Sequence, residues 1–240
     1  MLYTPLKQIY RNLPNIVSIL GVLPLFILLR EDAFVFLCPL IVLNNFMDDL
    51  DGVMAKKLSL RSEFGAGLDN VCDAVAHILI AMVVGTYYGG VVLAFALLSA
   101  VAILVRVVRR LAPLPAPTTG TPTNELMRHL LLLVVLQLSL GFDITPFLVA
   151  AFLLNSVSML VPFAMPHLVR SMAKSATAIL GINLALALAC FVPVTAPYIA
   201  AVVFGTYLYS FAVGGVRRLR RHERMKPGHP TNGAAQEEPG

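Results

Sequence analysis

The 240-residue sequence predicts an all-α, polytopic bundle of about eight membrane-spanning helices, and three observations predict it. Hydrophobic residues make up 58% of the chain against 13% charged, with no tryptophan, and the mean hydropathy is +0.81. That balance belongs to chains that live in lipid rather than to soluble domains. The apolar residues gather into eight runs separated by polar seams, and all 18 Lys and Arg residues except Arg30 fall in alternate seams, as expected if those seams face the cytoplasm. Backbone polar groups in hydrocarbon must be satisfied within their own segment, so the runs read as helices.

The first run, 13–29, follows Lys7 and Arg11 and imitates a signal peptide. No small-residue cleavage site follows it and seven more runs come after, so it reads as a retained helix. Ahead of it, Tyr3, Leu6, Ile9 and Tyr10 alternate with polar residues, the pattern of a short segment lying on the inner leaflet. The remaining runs are 33–46, 69–88, 91–108, 130–140, 147–162, 176–192 and 198–216. Several fall short of the ~20 residues needed to cross the hydrocarbon core, so they borrow flanking residues. With the N-terminus inside, an even number of spans returns the very basic C-terminal segment to the cytoplasmic side; an odd number would strand it outside. Residues 1–224 thus form one membrane domain of a cytoplasmic-type (inner) membrane, and the Gly-, Pro- and Glu-containing tail 225–240 is expected to be a disordered cytoplasmic segment. The interior loop 111–124 is rich in Pro and Thr and is longer than a passive connector needs to be.

A net charge of +5 spread over seams that face one leaflet suits anionic lipid headgroups rather than nucleic acid. Cys38, Cys72 and Cys190 stand in separate apolar runs without paired spacing, and read as small core residues rather than a disulfide framework or thiolate metal site.

Acidic residues concentrate where the second and third runs approach each other. Asp48, Asp51 and Ala55 stand at i, i+3 and i+7, one face of a helix, and Asp69 and Asp73 at i and i+4, one face of the next. Carboxylates at the margin of a lipid-buried helix are costly unless a partner compensates them. Four oxygen donors with no nearby thiolate favour a hard divalent cation, Mg²⁺ or Mn²⁺, over zinc. Gly52 is unfavourable in a helix interior by ~1 kcal/mol relative to Ala, so something must approach the backbone closely there, a nucleotide or a neighbouring helix. Lys56 adds a cation suited to phosphate oxygens. Asp49, Lys57, Arg61 and Glu63 read as a solvated interfacial face, His77 as a satisfied polar residue continuing the face of Asp69, and Arg106, Arg109 and Arg110 as a topological charge cluster.

The order D-x-x-D-G-x-x-A-R, eight residues, G-x-x-x-D-x-x-x-D resembles the signature of the CDP-alcohol phosphatidyltransferase family. Asp48, Asp51, Gly52, Ala55, Gly65, Asp69 and Asp73 match it in register, the gap 57–64 is kept, and Lys56 replaces the usual Arg. The lead-in Leu13-Pro14-Asn15-Ile16-Val17-Ser18 is similar to the family's usual start. Pro113-Leu114-Pro115-Ala116-Pro117-Thr118-Thr119, Asn155-Ser156-Val157-Ser158-Met159 and the two spans beyond a six-helix core resemble the phosphatidylserine synthase branch. The resemblance implies that Asp48, Asp51, Asp69 and Asp73 hold two divalent ions and that Gly52, Ala55, Lys56 and Gly65 line the cytidine and phosphate pocket. It also implies Asp73 as general base and a homodimer. The implied reaction transfers a phosphatidyl group from CDP-diacylglycerol to a small alcohol, L-serine first and a glycerophosphate or inositol acceptor as the alternative, releasing CMP at the cytoplasmic face. From a different class, an ion-binding transporter or non-catalytic membrane protein would also carry intramembrane acids, but would not need the full glycine-and-acid register.

Overall fold

The computed structural model describes residues 3–112, 120–163, 165 and 176–224. The Pro-rich stretch 113–119, Arg170, Lys174 and the tail 225–240 lie outside the described residues. Among those described, regular structure is entirely helical. A short α1 (Tyr3–Arg11) leads into α2 (Leu13–Val22), which tightens into a 3₁₀ stretch at Leu23–Leu29. A second 3₁₀ turn, Ala33–Phe36, opens α3 (Leu37–Lys57), followed by α4 (Glu63–Tyr88), α5 (Gly90–Leu111), α6 (Asn124–Leu140), α7 (Thr145–Leu160) and α8 (Ala176–Phe191). After a turn at Pro193–Thr195, α9 (Ala196–Arg224) completes the order.

The eight apolar runs fall mainly on these elements, with 13–29 and 33–46 each divided between an α-helix and a 3₁₀ stretch. Four segments are long and apolar enough to cross a membrane: Ala33–Lys57, Glu63–Tyr88, Gly90–Leu111 and Pro193–Arg220. Leu13–Leu29, Thr145–Leu160 and Thr177–Phe191 are shorter apolar helices. The chain is an integral membrane protein, and its outer surface agrees: Leu97, Leu98, Val101, Leu104 and Val108 on α5 and Tyr198, Val202 and Leu208 on α9 are exposed, an arrangement that water would penalise and lipid does not.

With no hydrophobic drive between helices in lipid, close contact of small residues and buried polar bonds hold such bundles together. A Cβ at Gly85 would lie 2.5 Å from Ala96 Cβ, so α4 and α5 touch almost backbone to backbone; one at Gly21 on α2 would lie 2.9 Å from Met47 Cβ on α3. Ser99 on α5 and Ser156 on α7 share a 2.8 Å hydrogen bond, and Tyr207 on α9 donates to Ser158 at 2.8 Å. α6 runs through the middle, with Leu126, Met127 and Leu130 through Val135 all buried. His129 on this helix meets Asn155 at 2.9 Å and packs against the rings of Phe204 and Tyr207. The start of α6 is pinned to the end of α7 at Gly120, whose φ of +78° brings the Cβ position to 2.6 Å from the Met159 carbonyl oxygen, while Thr121 N–H donates to Ser158 O at 2.9 Å. That conformation and that approach both require glycine.

Gly85→Val is expected to destabilise the protein by about 1–3 kcal/mol through forced separation of α4 and α5. Gly181→Ala, where an added Cβ meets nothing within 4 Å, is expected to cost nothing. Residual monodisperse protein after graded heating in detergent measures both.

Candidate metal and phosphate site

The second apolar run ends at residue 46, but α3 continues to Lys57, so Asp48 and Asp51 share one helix face, as their spacing predicts. A five-residue turn, 58–62, then reverses the chain, with Ser59 at φ +55°. Ser62 caps α4 by accepting a 3.0 Å hydrogen bond from Gly65 N–H, the arrangement expected of an N-cap serine. The reversal sets the acidic face of α3 against that of α4. Asp48, Asp51 and Asp69 each offer a carboxylate oxygen within 4.8 Å of the others. Asp73, one turn beyond Asp69, lines the same cavity and interacts electrostatically with the other three. Oxygen-only donors at this separation fit a divalent cation, which would relieve the repulsion between them.

Neighbouring helices orient these acids. Ser18 on α2 donates to Asp51 Oδ2, and Asn124, the first residue of α6, donates to Asp48 Oδ2 at 2.7 Å. On α8, Asn183 donates to Asp49 Oδ2 at 2.7 Å and accepts from Asn45 at 2.8 Å. Asp49 is therefore half-buried and bonded across the bundle, not part of a solvated face, because α8 packs where the sequence reading placed solvent.

The cavity holds about 870 Å³. Asp48, Asp51, Asp69 and Asp73 line it together with Gly52, Lys56, Lys57, Arg61, Arg110 and Arg128, and Ile179 and Ile182 of α8 supply an apolar wall. Lys57 and Arg61, expected as bystanders, thus face the same space, while Glu63 is exposed and absent from the lining. Gly52 borders open space among the described residues, with nothing within 4 Å of an added Cβ, so no described helix closes against it. Gly65 and Ala55 do not line the cavity. A Cβ at Gly65 would sit 2.9 Å from Asn15 Oδ1 and 3.0 Å from Ser62 Oγ, so Gly65 serves the approach of α2 and the cap of α4. Ala55 is half-buried, and its carbonyl accepts from Leu60 N–H in the turn after α3.

The arginine cluster divides. Arg106 is buried and donates to Met159 O at 3.3 Å, and Arg109 donates to Leu160 O at 3.4 Å, both at the C-terminus of α7, where terminal carbonyls need donors. Arg110 alone of the three lines the cavity, and it donates to Asn70 Oδ1 at 2.9 Å. His77 is buried beyond the lining, and its Nδ1 has no hydrogen-bond partner among the described residues.

Five residues that the motif does not include complete the site: Ser18, Asn124, Glu125, Arg128 and Asn183. Glu125 and Arg128 form a 3.0 Å ion pair, nearly buried, on the cavity wall. The legible signals were a lone amide inside the apolar run 176–192 and the polar head Asn124-Glu125 of α6, since such groups in lipid-embedded segments take partners.

These features define a helical membrane protein with a carboxylate-lined, cation-rimmed cavity built between helix ends. The sequence profile of the CDP-alcohol phosphatidyltransferase family matches residues 11–207, and the chain belongs to that family. An uncharacterized protein of Aquifex aeolicus (strain VF5) is 31% identical over 97 residues, which cover 36% of this chain and 48% of that protein. The match thus spans about half the length of that relative.

Asn124→Ala is expected to weaken Mn²⁺ binding about 10-fold by freeing Asp48, as loss of a ligand's orienting partner commonly does. Asp51→Asn should weaken it more than this, and Glu63→Gln not at all. Titration of the purified protein with Mn²⁺, followed by electron paramagnetic resonance of the free ion, reads all three.

Proposed function

We propose that the protein is a CDP-alcohol phosphatidyltransferase that moves a phosphatidyl group from CDP-diacylglycerol to the hydroxyl of L-serine, releasing CMP. The observation that carries this reading is the convergence of the four motif acids on a cavity that the Glu125–Arg128 pair also lines. Mg²⁺ or Mn²⁺, two ions by the family resemblance, would be held by Asp48, Asp51, Asp69 and Asp73 and supplies charge neutralisation to a diphosphate. Lys56, Lys57 and Arg61 present further cations to phosphate oxygens. Gly52 leaves its side of the cavity open for the nucleotide. Asp73 accepts the proton of the attacking hydroxyl, because an alcohol is a poor nucleophile until its proton is taken as the new bond forms.

The acceptor reading rests on charge. Glu125 and Arg128 stand one helical turn apart with opposite signs, and can exchange their mutual pairing for the ammonium and carboxylate of an amino acid. A phosphorylated polyol lacks an ammonium for Glu125, and its phosphate is repelled by that carboxylate. The acyl chains of the donor stay in the bilayer while its headgroup enters the cavity, which avoids transferring the diacyl body into water. In this arrangement all eight apolar helices cross an inner, cytoplasmic-type membrane, both termini lie in the cytoplasm, and the cavity opens to the cytoplasm. The basic residues Lys56, Lys57, Arg61, Arg110 and Arg128 around it support that orientation. The family resemblance adds a homodimer.

Purified protein supplied with CDP-diacylglycerol, Mg²⁺ or Mn²⁺ and one acceptor at a time is expected to release CMP with serine. Turnover of glycerol 3-phosphate or an inositol compound in its place would remove the serine assignment, and no release with any acceptor would remove the transferase reading. Asp73→Asn should lower kcat at least about 100-fold by loss of the proton acceptor, whereas Glu63→Gln should leave it unchanged. Arg128→Gln should raise the KM for serine about tenfold or more, with a smaller change in kcat, as expected when a charged contact to the acceptor is lost.

A further inference from the structure

The polar contacts between α3 and α8 continue past the cavity to a second pair that the sequence kept apart. Cys38 and Cys190 stand 152 residues apart, yet each thiol lies within the electrostatic reach of the other. The helix register supports their approach. Asn45 and Asn183 touch at 2.8 Å across the two helices. Cys38 lies seven residues before Asn45 on α3 and Cys190 seven residues after Asn183 on α8. In an antiparallel pair, equal steps in opposite senses keep residues opposite each other, and seven residues are close to two full turns, so the cysteines return to the face that the asparagines share. Cys38 is buried, while Cys190 is partly exposed near the end of α8 beside Leu188 and Phe191, which are 42% and 69% exposed. A lipid-soluble reagent therefore meets Cys190 before Cys38. Cys72, the remaining cysteine, lies on α4 near Asp69 and Asp73 and belongs to neither helix of this pair.

We propose that Cys38 and Cys190 are a disulfide-forming site that ties α3 to α8 at the end of the bundle remote from the cavity. The co-reactant is an apolar small-molecule disulfide. The Cys190 thiol, losing its proton, attacks one sulfur of the reagent, forming a mixed disulfide and expelling the first small thiol. The Cys38 thiol then attacks Cys190 Sγ, forming the protein disulfide and expelling the second small thiol. Two protein thiols are oxidised, one reagent disulfide is reduced to two thiols, and the two protons leave with them. Cys38 is ten residues from Asp48, or ~15 Å along the helix, so the exchange leaves the acids untouched. Its structural effect is to fix the far end of α8, whose near end carries the Ile179 and Ile182 wall of the cavity and is already held by the Asn45–Asn183–Asp49 contacts.

The test uses the full-length protein in detergent, reduced and freed of reductant, then treated with dithiodipyridine, quenched by alkylation and mapped by peptide mass spectrometry. Wild type and Cys72→Ser are expected to yield one peptide pair joining Cys38 to Cys190, lighter by two hydrogens than the reduced pair and separated again by dithiothreitol. Cys38→Ser is expected to retain a stable pyridyl adduct on Cys190, because no resolving thiol remains. A wild-type protein that keeps the pyridyl group on Cys190 with Cys38 free would overturn the proposal. So would wild type in which Cys72 reacts and the pair does not, or in which Cys190 joins a second copy of the chain. The decisive arm needs no substitution, so a variant that fails to fold does not obscure it.

Discussion

Like charge held close together inside apolar surroundings is the constraint on which the rest of this structure depends. Three carboxylates approach within 4.8 Å at the facing ends of two lipid-embedded helices. At the effective dielectric that suits most protein sites, each such pair repels on the order of 3 kcal/mol. A packed bundle keeps that arrangement only if something returns the energy. The described structure supplies part of it through the hydrogen bonds of Ser18 to Asp51 and Asn124 to Asp48; charge-assisted bonds of this kind are stronger than neutral ones. A divalent cation would supply the remainder, so the cluster is better understood as half of a metal site than as a surface charge patch.

α3 distributes this constraint to the fold. Successive acids on one helix point to different neighbours: Asp51 to Ser18 on α2, Asp48 to Asn124 on α6, Asp49 to Asn183 on α8. The site is consequently only as well defined as the packing of these helices. Gly21, against Met47, sets how closely α2 can approach one residue before Asp48, and Gly65 lets Asn15 sit against the start of α4. The small residues of the signature therefore divide by role: Gly65 regulates the distance between helices, and Gly52 leaves space beside the acids.

The local half of this architecture was legible in the sequence. Apolar runs mark the helices because lipid demands continuous hydrocarbon, and the 3.6-residue period places Asp48 with Asp51 and Asp69 with Asp73 without any tertiary knowledge. What was not legible depends on contacts between residues far apart: 33 positions from Ser18 to Asp51, 76 from Asp48 to Asn124 and 134 from Asp49 to Asn183. Asp49 looked solvated because nothing local hides it; α8 does. Arg106, Arg109 and Arg110 looked alike because charge alone was visible, yet two of them satisfy the terminal carbonyls of α7 and the third faces the cavity.

The end of α3 also explains why the cavity carries both signs of charge. A helix C-terminus is a region of negative potential, which opposes carboxylates in the last turn and favours cations there. Asp51 lies six residues before the end of α3, outside that turn, whereas Lys56 and Lys57 lie in it. The lysines therefore stabilise the helix terminus and, from the same position, line the cavity beside the acids. Asp69, six residues into α4, likewise lies beyond the first turn of its helix, so neither acid is set by a helix end. The reversal at 58–62 thus places the lysine-bearing end of α3 beside the acids of both helices. That combination of acids and lysines suits the diphosphate of a CDP-alcohol, the donor class of the family.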